Sequence, residues 1–343
     1  ISNDVTVLMT NDDASGQTLT LELSGVKYTG IVEVSRVTIE IPRQTFVDLS
    51  DNHIVGGREY DISASVADAA GNEADVKSIS FFMDKTKPVI DSIELEWGNY
   101  LNISEADASQ NVTVTMTNAD VSGQTLFLDL SGTDYSGVVD VSKVTIEIPL
   151  QDIKDLSDNL TVRGLEYDIT AKVVDAAGNE TEKTISFWVD KITPNIKSID
   201  LSGVSDGAHM NVALQDISND VTIIMTNDDV SGQILTLELS GVDYSGIVEV
   251  SRVTITIPRQ TFIDLSDNHI VGGREYDISA SVSDAAGNSA EIKSISFIMD
   301  KTKPVIDSID LSGVKDGAHM KNTLQDISND VTVLMTNDDA SGQ

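Results

Sequence analysis

Residues 167–194 read YDITAKVVDAAGNETEKTISFWVDKITP. From Tyr167 to Val173 polar and apolar side chains alternate, and a period of two marks a half-buried strand. Ile185–Val189 is a second apolar run of strand length. Between them stands Asp175-Ala-Ala-Gly-Asn179, built from residues that form turns. The stretch closes on Asp190-Lys-Ile-Thr-Pro194, and another apolar run, Ile196–Leu201, comes next. Proline cannot continue a hydrogen-bonded ladder, so this element reads as a short, stiff linker between strands.

The same grammar recurs along the 343 residues. Asp-Ala-Ala-Gly-Asn stands at 68–72, 175–179 and 284–288. Met-Thr-Asn stands at 9–11, 116–118, 225–227 and 335–337, and Leu-Ser-Asp-Asn at 49–52, 156–159 and 265–268. The six prolines fall on two repeat positions, Pro42/Pro149/Pro258 and Pro88/Pro194/Pro304. Residues 1–17 are identical to 327–343. The chain is therefore a tandem array. The linker sets its phase: one repeat to residue 84 that lacks its first strand, repeats over 85–190 and 191–300, and a partial repeat over 301–343. The sequence opens without Met and has no signal peptide, so it is expected to be one window on a longer array.

Within a repeat, Thr113–Met116, Leu126–Leu130 and Val144–Ile148 also alternate. No segment shows a helical period. About seven short strands in each repeat, with turn signals every 8–12 residues, predict an all-β immunoglobulin-like sandwich. Strung head to tail, such sandwiches make an extended rod. Tyr60, Tyr167 and Tyr276 open the penultimate strand, either as a corner tyrosine bonded to upstream backbone or as plain core residues.

Composition narrows the function. Fifty-six Asp and Glu against 22 Lys and Arg leave a net charge of −34. That argues against a binder of nucleic acid or anionic lipid, which needs clustered Lys and Arg. The apolar runs, such as Phe81-Phe82-Met83, are too short for a membrane-spanning helix. With no cysteine there is no disulfide, thiolate nucleophile or zinc–thiolate site. Domains of this kind need another source of rigidity, and metal ions are the usual one.

Asp-Ala-Ala-Gly-Asn, a strand, then Asp-Lys-x-x-Pro resembles the signature of bacterial Ig-like repeats, which build the stalks of giant RTX-type adhesins exported by type I secretion. The resemblance covers the whole chain. It implies an extracellular rod on a bacterial cell surface, with Ca2+ at the domain junctions. One departure is Lys85, Lys191 and Lys301 at the position where the family often carries Asp-Thr-Thr-x-Pro; a local salt bridge from that lysine would weaken a calcium site.

The sandwich topology gives the acidic loops an address. The end of one repeat meets the loops after the second and sixth strands of the next. The first seam gathers Asp84 with Asn118, Asp120, Asp175 and Asn179. The second gathers Asp190, Asp228, Asp229, Asp284 and Asn288. The third gathers Asp300, Asp338 and Asp339. Asp12, Asp13, Asp68 and Asn72 occupy the pole at the start. Converging carboxylates repel unless a cation joins them, and carboxylate, amide and carbonyl oxygens suit Ca2+. Extracellular modules bind it at about 10⁻⁴–10⁻³ M. The same residues are also turn formers, and both readings stand at this level. Asp48, Asp51 and Asn52, with their counterparts Asp155/Asp158/Asn159 and Asp264/Asp267/Asn268, offer a weaker second candidate at the other pole.

No catalytic constellation emerges. His53, His209, His269 and His319 lack a nucleophile and an orienting partner, and read as loop residues. The carboxylates recur without an aromatic-lined cleft, which argues against glycoside chemistry. Trp188 takes a strand position held by Phe82 and Ile298 elsewhere, and is expected to be buried or half-buried. Trp97, in the divergent stretch Glu96–Gln110, is the one plausible exposed anchor. The reading is a non-enzymatic stalk segment whose partners are its neighbouring repeats, without nucleic acid or membrane insertion. The alternatives are a module binding a glycan or host protein, and accessory domains of a secreted enzyme.

Overall fold

The structure is a computed structural model and describes residues 3–158, 164–211, 219–267, 270, 272–311, 314, 316–319 and 330–335. It divides into two compact units. One comprises Ile1–Asn99, Asp107–Leu156 and Glu166–Trp188; the other comprises Tyr100–Ala106, Ser157–Leu165 and Val189–Gln343.

In the first unit, Asp4–Leu8 pairs antiparallel with Arg36–Glu40. A four-stranded sheet runs in the order Val26–Ile31, Thr18–Leu23, Arg58–Ser65, Lys77–Met83. Leu19, Leu21 and Leu23 point inward from this sheet, and Val37, Ile39 and Ile41 meet them from the other side. Alternation along each strand thus becomes a core between two sheets, the immunoglobulin-like sandwich. The next repeat begins in the same unit. Ile90–Leu95 and Lys143–Ile148 flank Gln110–Met116, and Thr125–Leu130 lies between Thr133–Val138 and Leu165–Val174.

The second unit shows the same plan. Ile196–Leu201, Asp220–Met225 and Arg252–Thr256 form one sheet. The other has the order Ala208–Met210, Lys293–Met299, Arg274–Ser281, Ile234–Leu239, Val242–Ile247. Its core joins both sheets through Val221, Ile223, Leu235, Leu237, Ile278 and Phe297, all fully buried. Ile306–Leu311 pairs with Val331–Met335. Among the described residues no helix is long and apolar enough to cross a membrane.

The tyrosine resolves as a corner: Tyr60 Oη donates to Ser50 O (2.7 Å) and Tyr276 Oη to Ser266 O (2.6 Å). The all-β reading holds, with one addition that the pattern did not show. Among the described residues, the first three repeats each hold a six-residue α-helix, at Arg43–Asp48, Leu150–Asp155 and Arg259–Asp264. Pro42, Pro149 and Pro258 stand immediately before them, and a fixed proline φ favours helix entry. Gln44, Gln151 and Gln260 each bond the aspartate four residues on. Six residues are too few to display a 3.6-residue period, which is why the pattern hid them.

Backbone freedom matters most at Gly57, which lies against the end of the strand Lys77–Met83. Its φ is +83°, and a Cβ there would lie 2.7 Å from both Met83 O and Asp84 Cβ. Gly164 and Gly273 stand in the same relation to Asp190 and Asp300. Gly25, at φ +81°, faces open space. Gly25→Ala is therefore expected to cost about 1 kcal/mol from φ strain alone, and Gly57→Ala at least about twice that. Chemical denaturation of both variants checks the difference.

Candidate metal centres

Asp84 closes the strand Lys77–Met83, Asp120 sits in the loop after Gln110–Met116, and Asp175 opens the turn after Leu165–Val174. Each offers a carboxylate oxygen, and these oxygens all lie within 4.8 Å of one another. The turn is built around Asp175, which is buried. Its Oδ1 accepts the N–H groups of Ala177 (2.9 Å) and Asn179 (2.8 Å), and its Oδ2 accepts Asn179 Nδ2 (2.9 Å). Asn179 Nδ2 also donates to Asp84 O (3.2 Å), so one amide holds both chain segments. Asp120 Oδ1 accepts the Gly56 N–H (2.7 Å), while its Oδ2 is buried without a hydrogen-bond partner. Burial raises the Asp84 carboxyl above its ordinary pKa, and the charges of Asp120, Asp175 and Asp51 add to this.

The second unit repeats the arrangement at greater burial. Asp190, Asp229 and Asp284 form the second group within 4.8 Å, and all three are buried. Asn288 is only 2% exposed. Its Nδ2 donates to Asp284 Oδ2 and Asp190 O (2.9 Å each), and its Oδ1 accepts the Ile103 N–H (2.9 Å). Asn102 Nδ2 adds a bond to Ala286 O (3.1 Å). A cavity of about 220 Å³ adjoins this group, lined by Tyr100, Asp190, Asp229, Ser231, Gln233 and Ala285. Asp190 is pushed up to about 6 by burial, then by the charges of Asp284, Asp229 and Asp158.

The remaining predicted residues are not gathered into a three-carboxylate group among the described residues. Asp228 is exposed beside Asp229. Asp300 Oδ1 accepts the Thr302 N–H (3.0 Å), and its expected companions Asp338 and Asp339 lie outside the described residues. Asp12 and Asp13 are exposed; Asp13 accepts Asn11 Nδ2 (2.9 Å), and Asp68 is bracketed by Asn72 as Asp175 is by Asn179.

The ammonium groups of Lys85 and Lys301 turn to backbone carbonyls rather than to the aspartate before them. Lys85 Nζ donates to Val47 O and Leu49 O, and Lys301 Nζ to Ile263 O and Leu265 O, where each short helix ends. A cation at a helix C-terminus meets unsatisfied carbonyls, so the ammonium is spent there. Asp51 belongs to the linker rather than to an opposite pole. Its Oδ2 accepts Thr86 Oγ1 (2.6 Å) and the Lys85 N–H (3.0 Å), and its Oδ1 the His53 N–H (3.1 Å). These bonds, the Thr86 hydroxyl first, hold its pKa down to about 2. Asp267 repeats this with Lys301 and Thr302. That carboxylate is satisfied by protein donors. Asn159, Asn268 and His269 lie outside the described residues.

The expectation of an exposed Trp97 is overturned. It is 5% exposed and packs edge-on against Phe187, with centroids 5.2 Å apart, so it is core and no surface anchor. Trp188 is half in solvent, at 37% exposure. Sequence reasoning missed the bracketing role of Asn179 and Asn288, the N–H of Gly56, and Gly57 with its counterparts. Only the recurrence of Gly before the Tyr strand signalled the last.

The sequence profile of the family described as Bacterial Ig-like domain matches residues 56–85, 140–191 and 272–301. Over those segments the repeats resemble that family. Each match includes the Asp-Ala-Ala-Gly-Asn turn and ends on the Asp-Lys linker. Among solved structures, the chain is similar to a 1.5-MDa bacterial ice-binding adhesin (19% identity, 87% of this chain and 91% of that one, TM-score 0.41). It is similar also to a Ca2+-stabilized adhesin that helps an Antarctic bacterium bind ice (20% identity, 91% and 73%, TM-score 0.35). A third is a bacterial immunoglobulin-like domain from the M. primoryensis ice-binding adhesin (24% identity, 31% and 99%, TM-score 0.23). At these TM-scores the likenesses carry no functional inference. No curated protein matches the sequence.

The acidic groups set a pH dependence. Asp190 keeps its proton to about pH 6 when folded but releases it near 3.8 when unfolded. The folded state binds more protons in that window, so stability falls as pH rises through it. Asp51 acts oppositely: its contribution is lost as pH falls below 3.8 towards about 2. Without divalent cations the second unit is therefore expected to melt higher at pH 5 than at pH 7.5. Asp229→Asn is expected to flatten that difference, and thermal unfolding in chelator checks both.

Proposed function

We propose that the chain is a structural extender, a stalk segment of a bacterial cell-surface adhesin, rigidified by Ca2+ bound where consecutive repeats join. The observation that carries this is the convergence of Asp84 with Asp120 and Asp175, repeated by Asp190 with Asp229 and Asp284. In each group the first aspartate ends one repeat and the other two come from loops of the next, with repeats taken as 1–84, 85–190, 191–300 and 301–343. Asp120 Oδ2, buried and without a hydrogen-bond partner, supports its role as a cation ligand. Carboxylate oxygens suit Ca2+, a hard cation that accepts six to eight oxygens in flexible geometry. Asn179 and Asn288 preform the sites by holding the aspartate backbone, and Asp12, Asp13, Asp68 and Asn72 make the corresponding half-site at the start. Asp228 flanks the second site; Asp300 with Asp338 and Asp339 begins a third.

A bound ion removes the mutual repulsion and holds neighbouring repeats in line. In calcium-rich surroundings the sites fill; inside the cell they empty, which keeps the chain pliable for export by type I secretion. The match to bacterial Ig-like domains supports the extracellular, non-enzymatic reading. The divergent stretch Glu96–Gln110 contributes Trp97 to the core and Asn102 to the second acidic site, which leaves no observation favouring a separate ligand module.

Small-angle scattering and calorimetry across a calcium titration test the proposal. Millimolar Ca2+ is expected to raise the melting temperature and lengthen the maximum dimension relative to chelator. Asp175→Asn and Asp284→Asn are each expected to remove part of the response, and the double variant nearly all of it. An unchanged dimension and melting temperature would end the proposal.

A further inference from the structure

Within the divergent stretch Glu96–Gln110, the letters Asn102-Ile-Ser-Glu105 fold into a reciprocal cap. Asn102 Oδ1 accepts the N–H groups of Ser104 (2.9 Å) and Glu105 (3.0 Å), and Glu105 Oε2 accepts the Asn102 N–H (3.0 Å). An asparagine before a turn, answered by a glutamate three residues on, satisfies the free N–H groups where the turn begins. The turn it opens is the 3-10 helix Glu105–Asp107, whose Ala106 is buried. On the other side the Asp190 N–H donates to Leu101 O (3.0 Å). Asn102 and Ile103 therefore stand on a short strap fixed at both ends.

The cap uses the oxygen of the Asn102 side chain and leaves its nitrogen free to reach elsewhere. Nδ2 donates to Ala286 O (3.1 Å), in the middle of the turn Asp284–Asn288. Beside it the Ile103 N–H donates to Asn288 Oδ1 (2.9 Å). That bond decides which way the Asn288 amide faces. With Oδ1 held by a donor, Nδ2 is left for Asp284 Oδ2 and Asp190 O (2.9 Å each). The reverse orientation would set its oxygen against two acceptors. The Asn288 N–H in turn donates to Asp284 Oδ1 (2.9 Å). Asn288 is 2% exposed, so water offers no substitute partner. A chain of bonds thus runs from Glu105 to Asp284 and Asp190, and all of it lies within the second unit.

We propose that Tyr100–Ala106 is a positioning strap for the second acidic group, and that the Asn102–Glu105 cap keeps Asp190 and Asp284 converged before a cation arrives. Like charges tend to splay when nothing joins them. The strap opposes this with neutral donors. A cation then meets loops already in place, and ordering them costs it less affinity. This deepens the calcium reading and rests on it for the affinity alone. In the third repeat the Asp300 N–H donates to Met210 O as Asp190 does to Leu101 O, which sets Asn211 at the place of Asn102. In the sequence Leu214 then takes the place of Glu105, so the reciprocal cap belongs to the divergent stretch.

Amide exchange in chelator reads the strap without any ion. Asn102→Ser keeps a capping oxygen but lacks the amide donor, and Glu105→Ala removes the answering carboxylate. Each is expected to speed exchange of the Asn288 N–H about tenfold or more, while the N–H of Asn179 in the first group keeps its rate. Glu105→Gln, which can complete the cap, is expected to restore slow exchange. Calorimetric titration with Ca2+ is made in an Asp175→Asn background, where the first group is impaired. There Glu105→Ala is expected to weaken binding about tenfold. Unchanged exchange at Asn288 in both variants, no rescue by Glu105→Gln, or unchanged Ca2+ affinity would each overturn the proposal. If the unsubstituted chain binds no Ca2+, the calcium reading fails and the exchange rates alone decide the strap.

Discussion

Three carboxylates drawn to within 4.8 Å of one another, once in each compact unit, are the constraint that the loops around them must meet. Such a group is unfavourable by itself: each charge loses water and meets two others of its sign. The raised pKa values of Asp84 and Asp190 express that tension directly. The surrounding hydrogen bonds do not neutralise it. Backbone N–H groups of the Asp-Ala-Ala-Gly-Asn turn orient one carboxylate, and a side-chain amide grips the backbone of another, which fixes geometry without supplying positive charge.

The linker beside the first acidic group is held by protein donors alone. The ammonium of Lys85 ends the short helix, and Asp51 collects the next two linker residues through Thr86 Oγ1 and the Lys85 N–H. Linker and acidic group respond oppositely to acid. Asp51, with its pKa near 2, keeps its bonds where Asp190 has already been relieved by a proton. The linker is thus tied to the segment before it under most conditions, whereas the acidic groups are the part that a change of pH alters first.

Much of the sandwich was legible in alternation. Leu19, Leu21 and Leu23 are spaced by two and all face inward, and Tyr60 stands where a corner tyrosine belongs. The acidic residues were legible as recurring letters, since Asp84, Asp120 and Asp175 fall at fixed repeat positions. Their company was not. Asp228 and Asp229 are adjacent and chemically alike, yet one is exposed and the other buried in the group. Trp97 was misjudged because a lone aromatic near a linker has no periodic context, and the fold supplied Phe187 to cover it. The linker lysine was misjudged because carbonyl acceptors carry no letter in the sequence.

By itself, then, the amino-acid order determined the repeat, the strand period, the turn positions and the excess of negative charge, because each is a local or compositional property. The tertiary structure alone decided which aspartates face one another and which asparagine spans two segments. Those outcomes depend on residues about a hundred positions apart being brought together by the packing of two sheets.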